Sequence, residues 1–192
     1  MSSRTVRTVV IGLAAVVIVF IAVKAFGGKD TTSSTTTTAS AATAWADGTC
    51  GALVTWKDSV TAAAHSLKTT PTRDGVNQAV DDAKSATKTL ADTVRGLDAP
   101  GTAAGAKAHD TISSLETQMQ TGVSKLQSAA GKVSGLSGTV EAVSTISTTL
   151  VTMRDQLSAA ADALRGLPTG ELQDAVASSP SCGKLKSGSS SS

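Results

Sequence analysis

Apolar residues recur along most of this chain at alternating spacings of three and four. That is the period of a helix seam, not the period of two that marks a strand. The first such segment carries Leu53, Trp56, Val60, Ala63 or Ala64, and Leu67. The second carries Val76, Val80, Ala83, Thr87, Leu90, Val94 and Leu97. The third runs through Ala108, Ile112, Leu115, Met119, Gly122, Leu126, Ala129, Val133 and Leu136, and the fourth through Val143, Ile146, Leu150, Met153, Leu157, Ala160 and Leu164. Asp47 reads as the N-cap of the first helix. Thr70-Pro71 reads as the restart of the second, with Thr as cap and Pro at the first helical position. Asp98-Ala99-Pro100-Gly101 breaks the second helix from the third. Gly131, Gly135 and Gly138 mark the next turn, where Gly135 followed by Leu136 fits a helix-terminating motif. Gly122, on the third seam, weakens its helix by about 1 kcal/mol relative to Ala, or admits the close approach of a neighbouring backbone. Gly166 and Pro168 end the fourth helix, Glu171 to Ala177 adds one or two turns, and residues 183–192 read as a disordered tail.

One stretch departs from this amphipathic pattern. Val9 to Phe26, VVIGLAAVVIVFIAVKAF, is apolar all round, with Lys24 as its only charge. As a helix it spans about 27 Å, close to the roughly 30 Å of a bilayer's hydrocarbon core. Arg4 and Arg7 precede it with no acid, which places residues 1–8 in the cytoplasm and the rest of the chain outside, across a single-pass span. The rival is a cleaved secretory signal, which makes the protein secreted. Val23-Lys24-Ala25 and Ala25-Phe26-Gly27 are poor cleavage sites, so an uncleaved anchor is favoured. The short N-terminal segment leaves no room for a cytoplasmic output domain. Residues 27–43, rich in Thr and Ser and low in apolar residues, read as a flexible stalk, with the Thr cluster a candidate for O-linked sugars.

The remaining segment, 44–182, has the size of one domain. Both Phe lie in the apolar stretch, and Trp45 and Trp56 are the only other aromatics. The core is therefore built from Ala, Val, Leu, Ile and Met, which suits close-packed helices better than sheets. The expected fold is all-α: an antiparallel four-helix bundle, up-down-up-down. An extended, self-associated coiled coil is the alternative. Cys50 and Cys182 are the only cysteines and bracket the segment, so export implies one disulfide between them. That closure requires an even number of long helices, in agreement with the seams.

Charge and motif content exclude more than they assign. The whole chain carries +2, but between Ala44 and Cys182 there are 11 Lys/Arg against 14 Asp/Glu, a net of −3. With no basic face and no polybasic run, nucleic acid is excluded as a partner. His65 and His109 are the only histidines and lack ligand spacing, so no metal and no cofactor is expected. Gly135-Leu136-Ser137-Gly138-Thr139 misses the nucleophile elbow at its last position. Gly131-Lys132-Val133 lacks the spacing of a phosphate loop. Asp81-Asp82 reads as a solvated helix face, and Met119 and Met153 as core. No catalytic constellation remains. Trp45, just before the first expected cap, is the one candidate contact residue, with packing over the helix start or the disulfide as the alternatives.

Trp45-Ala46-Asp47-Gly48-Thr49-Cys50, then Trp56-Lys57, then the late Cys182 resemble uncharacterised secreted or membrane-anchored small helical proteins of high-GC actinobacteria. That resemblance covers residues 45–182 and implies no activity. The function expected is non-enzymatic: an anchored extracytoplasmic bundle with an interaction or structural role in the cell envelope and an envelope protein as partner. The alternative is an extracytoplasmic bundle that binds or senses a small ligand and acts through a partner protein.

Overall fold

The computed structural model describes residues 33–187. Among the described residues every element is helical: α1 Ser33–Thr69, α2 Arg73–Arg95, α3 Ala103–Ala130, α4 Gly135–Arg165, α5 Glu171–Ser178 and α6 Pro180–Ser187. The N-terminal segment 1–8, the apolar stretch 9–26, residues 27–32 of the expected stalk and residues 188–192 lie outside the described residues. No helix among those described is long and apolar enough to cross a membrane.

The seams form the core. Leu53, Trp56, Val60, Ala63 and Leu67 of α1 are buried against Val76, Val80, Ala83 and Leu90 of α2 and Ile112, Leu115, Met119 and Leu126 of α3. From α4 come Ile146, Leu150, Met153, Leu157 and Leu164. Leu97 at the end of α2 packs over Gly48 in the first half of α1, while Trp56 bonds Thr87 further along both helices. Met153 of α4 sits over Gly122 of α3, so the bare position on the third seam accommodates a thioether side chain and not a neighbouring backbone. Arg95 of α2 pairs with Glu116 of α3, and Arg95 also lies 3.9 Å from Asp92.

Trp56 is the largest fully buried side chain. Its indole nitrogen donates to Thr87 Oγ1 at 3.0 Å, and Thr87 Oγ1 donates to the Ala83 carbonyl at 2.8 Å. A Thr at a seam position, otherwise a weak core residue, thus satisfies the one polar atom that the aromatic brings inside.

Several local expectations are corrected. Helix α1 begins at Ser33, so residues 33–43 of the expected stalk are helical. At the core end of that stretch the burial of Ala42, and of Trp45 beyond it, adds tertiary packing to the modest helix propensity of Thr and Ser. Ala42, Trp45 and Ala46 are buried, and Thr43 Oγ1 returns its hydrogen to the Ala39 carbonyl at 3.0 Å. Asp47 consequently lies inside a helix and caps nothing, and Cys50 is well inside α1, not at its start. Trp45 is 3% exposed, so it is a core residue and not a surface contact. Helix α3 ends at Ala130, and Gly135, at φ 66°, opens α4 in place of closing α3. Leu136, expected on the third seam, is 84% exposed.

The restarts after Pro71 and Pro100 share one device. The cap of α2 is Thr72, not Thr70, and the cap of α3 is Thr102. Each hydroxyl accepts from the backbone N–H three residues on, Gly75 at 3.1 Å and Gly105 at 3.0 Å. Each Thr also donates its own N–H back to residue 70 or 100, at 2.8 and 2.7 Å. This folds the preceding turn onto the helix so tightly that a Cβ on Gly75 would fall 2.1 Å from the Thr70 carbonyl oxygen. On Gly105 it would fall 1.8 Å from that of Pro100.

The tail expectation is also revised. Residues 183–187 belong to α6, and Leu185 is buried. Ser179 accepts from the Cys182 N–H at 3.3 Å and Pro180 follows it, a side-chain cap with Pro at the first position. Helices α5 and α6 pack against the first half of α1 through Leu172, Ala175, Val176 and Leu185. Lys57 Nζ and Arg165 Nη2 donate to the carbonyls of Lys184 and Cys182, both at 3.3 Å. Cys50 and Cys182 are disulfide-bonded, with Cα atoms 4.9 Å apart across a sequence separation of 132.

Two measurements check this packing. Ala normally stabilises a helix by about 1 kcal/mol over Gly. At Gly105 the sign reverses, and Gly105→Ala is expected to destabilise by about 1–3 kcal/mol through the clash with Pro100. Gly101→Ala, which meets nothing within 4 Å, serves as the neutral control, both read by urea unfolding through Trp fluorescence. Thr87→Val keeps the shape but orphans the buried indole N–H, and is expected to cost about 1–3 kcal/mol in the same assay. Trp56→Phe in the Thr87→Val background should then add less than it does alone.

Candidate functional site

The chemistry-bearing side chains are dispersed. His65 on α1 and His109 on α3 are exposed. No three His, Cys, Asp or Glu side chains among the described residues converge as metal ligands. Asp81 and Asp82 are exposed on α2, while Met119 and Met153 are buried, as their seam positions require. Among the described groups the Asp92 carboxyl is shifted below its ordinary value. The hydrogen bond from Lys88 is the main cause, opposed by slight desolvation and reinforced by the charges of Lys88 and Arg95. It lies fully on the surface and marks a helix-face ion pair, not a site.

The concavities are helix–helix grooves. One, about 590 Å³, runs between α1 and α2 and is lined by Thr55, Trp56, Ser59, Asp82, Ser85 and Thr89 among others. Two of its hydroxyls are already committed, Thr55 to the Gly51 carbonyl at 3.0 Å and Ser59 to the Thr55 carbonyl at 2.9 Å. A second, about 370 Å³, lies between α3 and α4, with Lys125, Lys132 and Glu141 on its walls. The space bordering the core between α2 and α3, beside Leu53, Thr87 and Met119, has a volume of only about 10 Å³. That is too small for anything beyond a single water.

What stands out is apolar. Among the described residues the exposed large hydrophobics are Leu136 at 84%, Val140 at 65% and Val151 at 53%, all on α4. Together with half-buried Val143 they fall at positions 136, 140, 143 and 151. One helical face therefore carries them, beside the core seam of Ala142, Ile146, Leu150 and Met153. The sequence reading assigned Leu136 to the α3 core and passed over Val140 and Val151. Their signal is that α4 holds apolar residues on two adjacent seams where the other helices hold one. The cysteines do come together, as a buried pair at the junction of α1 and α6. Trp45 is buried and contributes no surface.

No family model matches the chain, and comparisons with curated proteins and with solved structures likewise gave no match.

Proposed function

We propose that this chain is a membrane-anchored, non-enzymatic protein of the cell envelope, whose disulfide-closed helical domain presents an interaction surface outside the cytoplasmic membrane. In this reading residues 9–26 form the anchor. Helices α1 to α4 form an antiparallel up-down-up-down bundle, and α5–α6 return to the end from which α1 emerges.

The observation that carries the proposal is that, among the described residues, the exposed large hydrophobics, Leu136, Val140 and Val151, all lie on one helix. Leu136 and Val140 are neighbours one turn apart and Val151 follows about 16 Å further along the same helix, and large apolar side chains gathered on one helix are the kind of surface that contacts another molecule. The Cys50–Cys182 bond supports the export part, since such bonds persist in oxidising compartments. The pairing of Gly48 with Leu97, and of Trp56 with Thr87, supports opposite directions for α1 and α2. Helix α1 begins at Ser33, with the six residues 27–32 between it and Phe26.

Three measurements on cells test the reading. The chain should fractionate with membranes at its full intact mass. A maleimide reagent should label Cys50 and Cys182 only after denaturation and reduction. In-cell crosslinking should recover one reproducible envelope protein. A chain found in the cytosol with free thiols, or an anchored chain that crosslinks to nothing, overturns the proposal.

A further inference from the structure

Helices α5 and α6 are joined to the bundle differently from the way its four long helices are joined to one another. Among the described residues neither packs on α2, and α6 does not pack on α3; both lie mainly on α1. Between the long helices the fit is close. A Cβ on Gly48 would fall 2.8 Å from Leu97, and one on Gly122 would fall 2.6 Å from Met153 Sδ. On the α6 side the fit is open. A Cβ on Gly51 would meet only Ser181 Oγ, at 3.9 Å, and one on Gly183 would meet nothing within 4 Å. The seat on α1 is a ridge of small residues, Ala42, Ala46 and Cys50 at steps of four, which offers little apolar area to bury. The polar ties are weak as well. Those from Lys57 to Lys184 and from Arg165 to Cys182 are both 3.3 Å, at the long edge of the N–H···O range. No ion pair among the described residues joins α5 or α6 to the long helices. Each short helix has 8 residues, and an isolated helix below about 12–15 residues is marginal in water. What fixes the pair on α1 is the Cys50–Cys182 bond.

We infer that α5–α6 is a strap that only oxidation closes. With both thiols reduced, α1 to α4 are folded and residues 171–187 stand off α1; a disulfide of the thiol-oxidase class then latches them down. The long helices hold a core of their own, because Leu53, Trp56, Met119, Leu126, Ile146 and Leu150 are buried on seams that belong to α1–α4. The hinge is local. Gly170, at φ 150°, adopts a backbone conformation that residues with side chains rarely take, and nothing lies within 4 Å of where its Cβ would be. The strap therefore pivots after Pro168 without disturbing α4. The latch goes beyond the interaction role proposed above and does not depend on it.

Closure is a two-step exchange. The Cys182 thiolate, on the free strap, attacks one sulfur of the oxidant's disulfide, and the other sulfur leaves as a thiolate. The Cys50 thiolate then attacks the Cys182 sulfur and expels the second thiolate. The two cysteines together give up two protons and two electrons, and the oxidant's disulfide becomes a dithiol. The product shields itself. In the closed strap Cys50 is 2% and Cys182 3% exposed, so a thiolate in solution reaches neither sulfur and the latch stays shut while the domain is folded.

The test compares the oxidised full-length chain with the same chain reduced in urea and refolded with dithiothreitol present. Hydrogen exchange read by mass spectrometry is expected to show α1–α4 protected in both, and protection lost at residues 171–187 in the reduced chain. Once dithiothreitol is removed, maleimide should label Cys182 as fast in native buffer as in urea. Glutathione disulfide added in place of maleimide should restore protection at 171–187 and leave no thiol to label. The Cys50→Ser variant, which cannot close, should match the reduced chain. Full protection at 171–187 without the bond overturns the latch, because α5–α6 then dock unaided. Loss of protection throughout α1–α4 in both the reduced chain and Cys50→Ser overturns it too, because the strap is then part of the core. Rapid reduction of the oxidised chain by dithiothreitol in native buffer overturns its self-shielding.

Discussion

The Cys50–Cys182 bond is the constraint around which the rest of the domain is arranged. Among the described residues the interior holds two aromatics, Trp45 and Trp56, and apart from the cysteine pair and three hydroxyl residues is Ala, Val, Leu, Ile and Met with a few Gly. Small side chains bury little area apiece, and burial is worth only about 25 cal/mol per Å². Joining residues 132 apart removes denatured-state entropy worth about 5 kcal/mol in the chain-entropy model, which is comparable to the whole stability of many domains. The bond also explains why the chain continues past α4. Arg165 marks the end of α4, and α5 and α6 are the two short turns needed to bring a cysteine back onto α1. Ser179 and Pro180 set the start of α6, so that Cys182 falls in its first turn, facing Cys50.

Economy of side-chain size shapes the helix contacts as well. Gly48 and Gly122 leave room for Leu97 and Met153, so the bulk missing from one helix is supplied by its neighbour. The same economy makes buried polarity expensive, because few large groups are available to cover it. The Trp56–Thr87–Ala83 chain of hydrogen bonds is the local solution. On the outside, the many Ser and Thr residues return their hydroxyls to carbonyls one turn back, as Thr61 does to Lys57 and Thr121 to Thr117. Helices so rich in hydroxyl residues are thereby kept from exposing competing partners to their own backbone.

Much of this was legible from spacing alone. The seam from Val76 to Leu90 and the one from Ala108 to Ala129 are buried position for position, because a helix of that length cannot hide its apolar face any other way. What was not legible depends on neighbours distant in the chain. Ser33–Thr43 reads as linker by composition and is helix because Ala42 and Trp45 find a core to enter. The shift of the α2 cap from Thr70 to Thr72, and the matching cap of α3 at Thr102, go with a carbonyl folded under Gly75 and Gly105. That Thr-x-x-Gly pattern is visible in both linkers once the geometry is known. Helix α6 carries a readable signal in Ser179-Pro180, a capping hydroxyl followed by Pro at the first helical position.

The α4 flank was misread for an instructive reason. A three-four alternation continued through Gly131 and Gly135 puts Leu136 on the α3 seam, although a period cannot be carried across a break in the helix. Once α4 starts afresh at Gly135, whose φ of 66° turns the chain, Leu136 and Val140 are rotated away from the core by the helical repeat itself. Burying them against the body would require moving the start of α4 by one or two residues, and that would pull Ile146, Leu150 and Met153 out of the interior. The core therefore sets the register of α4, and the outer stripe is what that register leaves over.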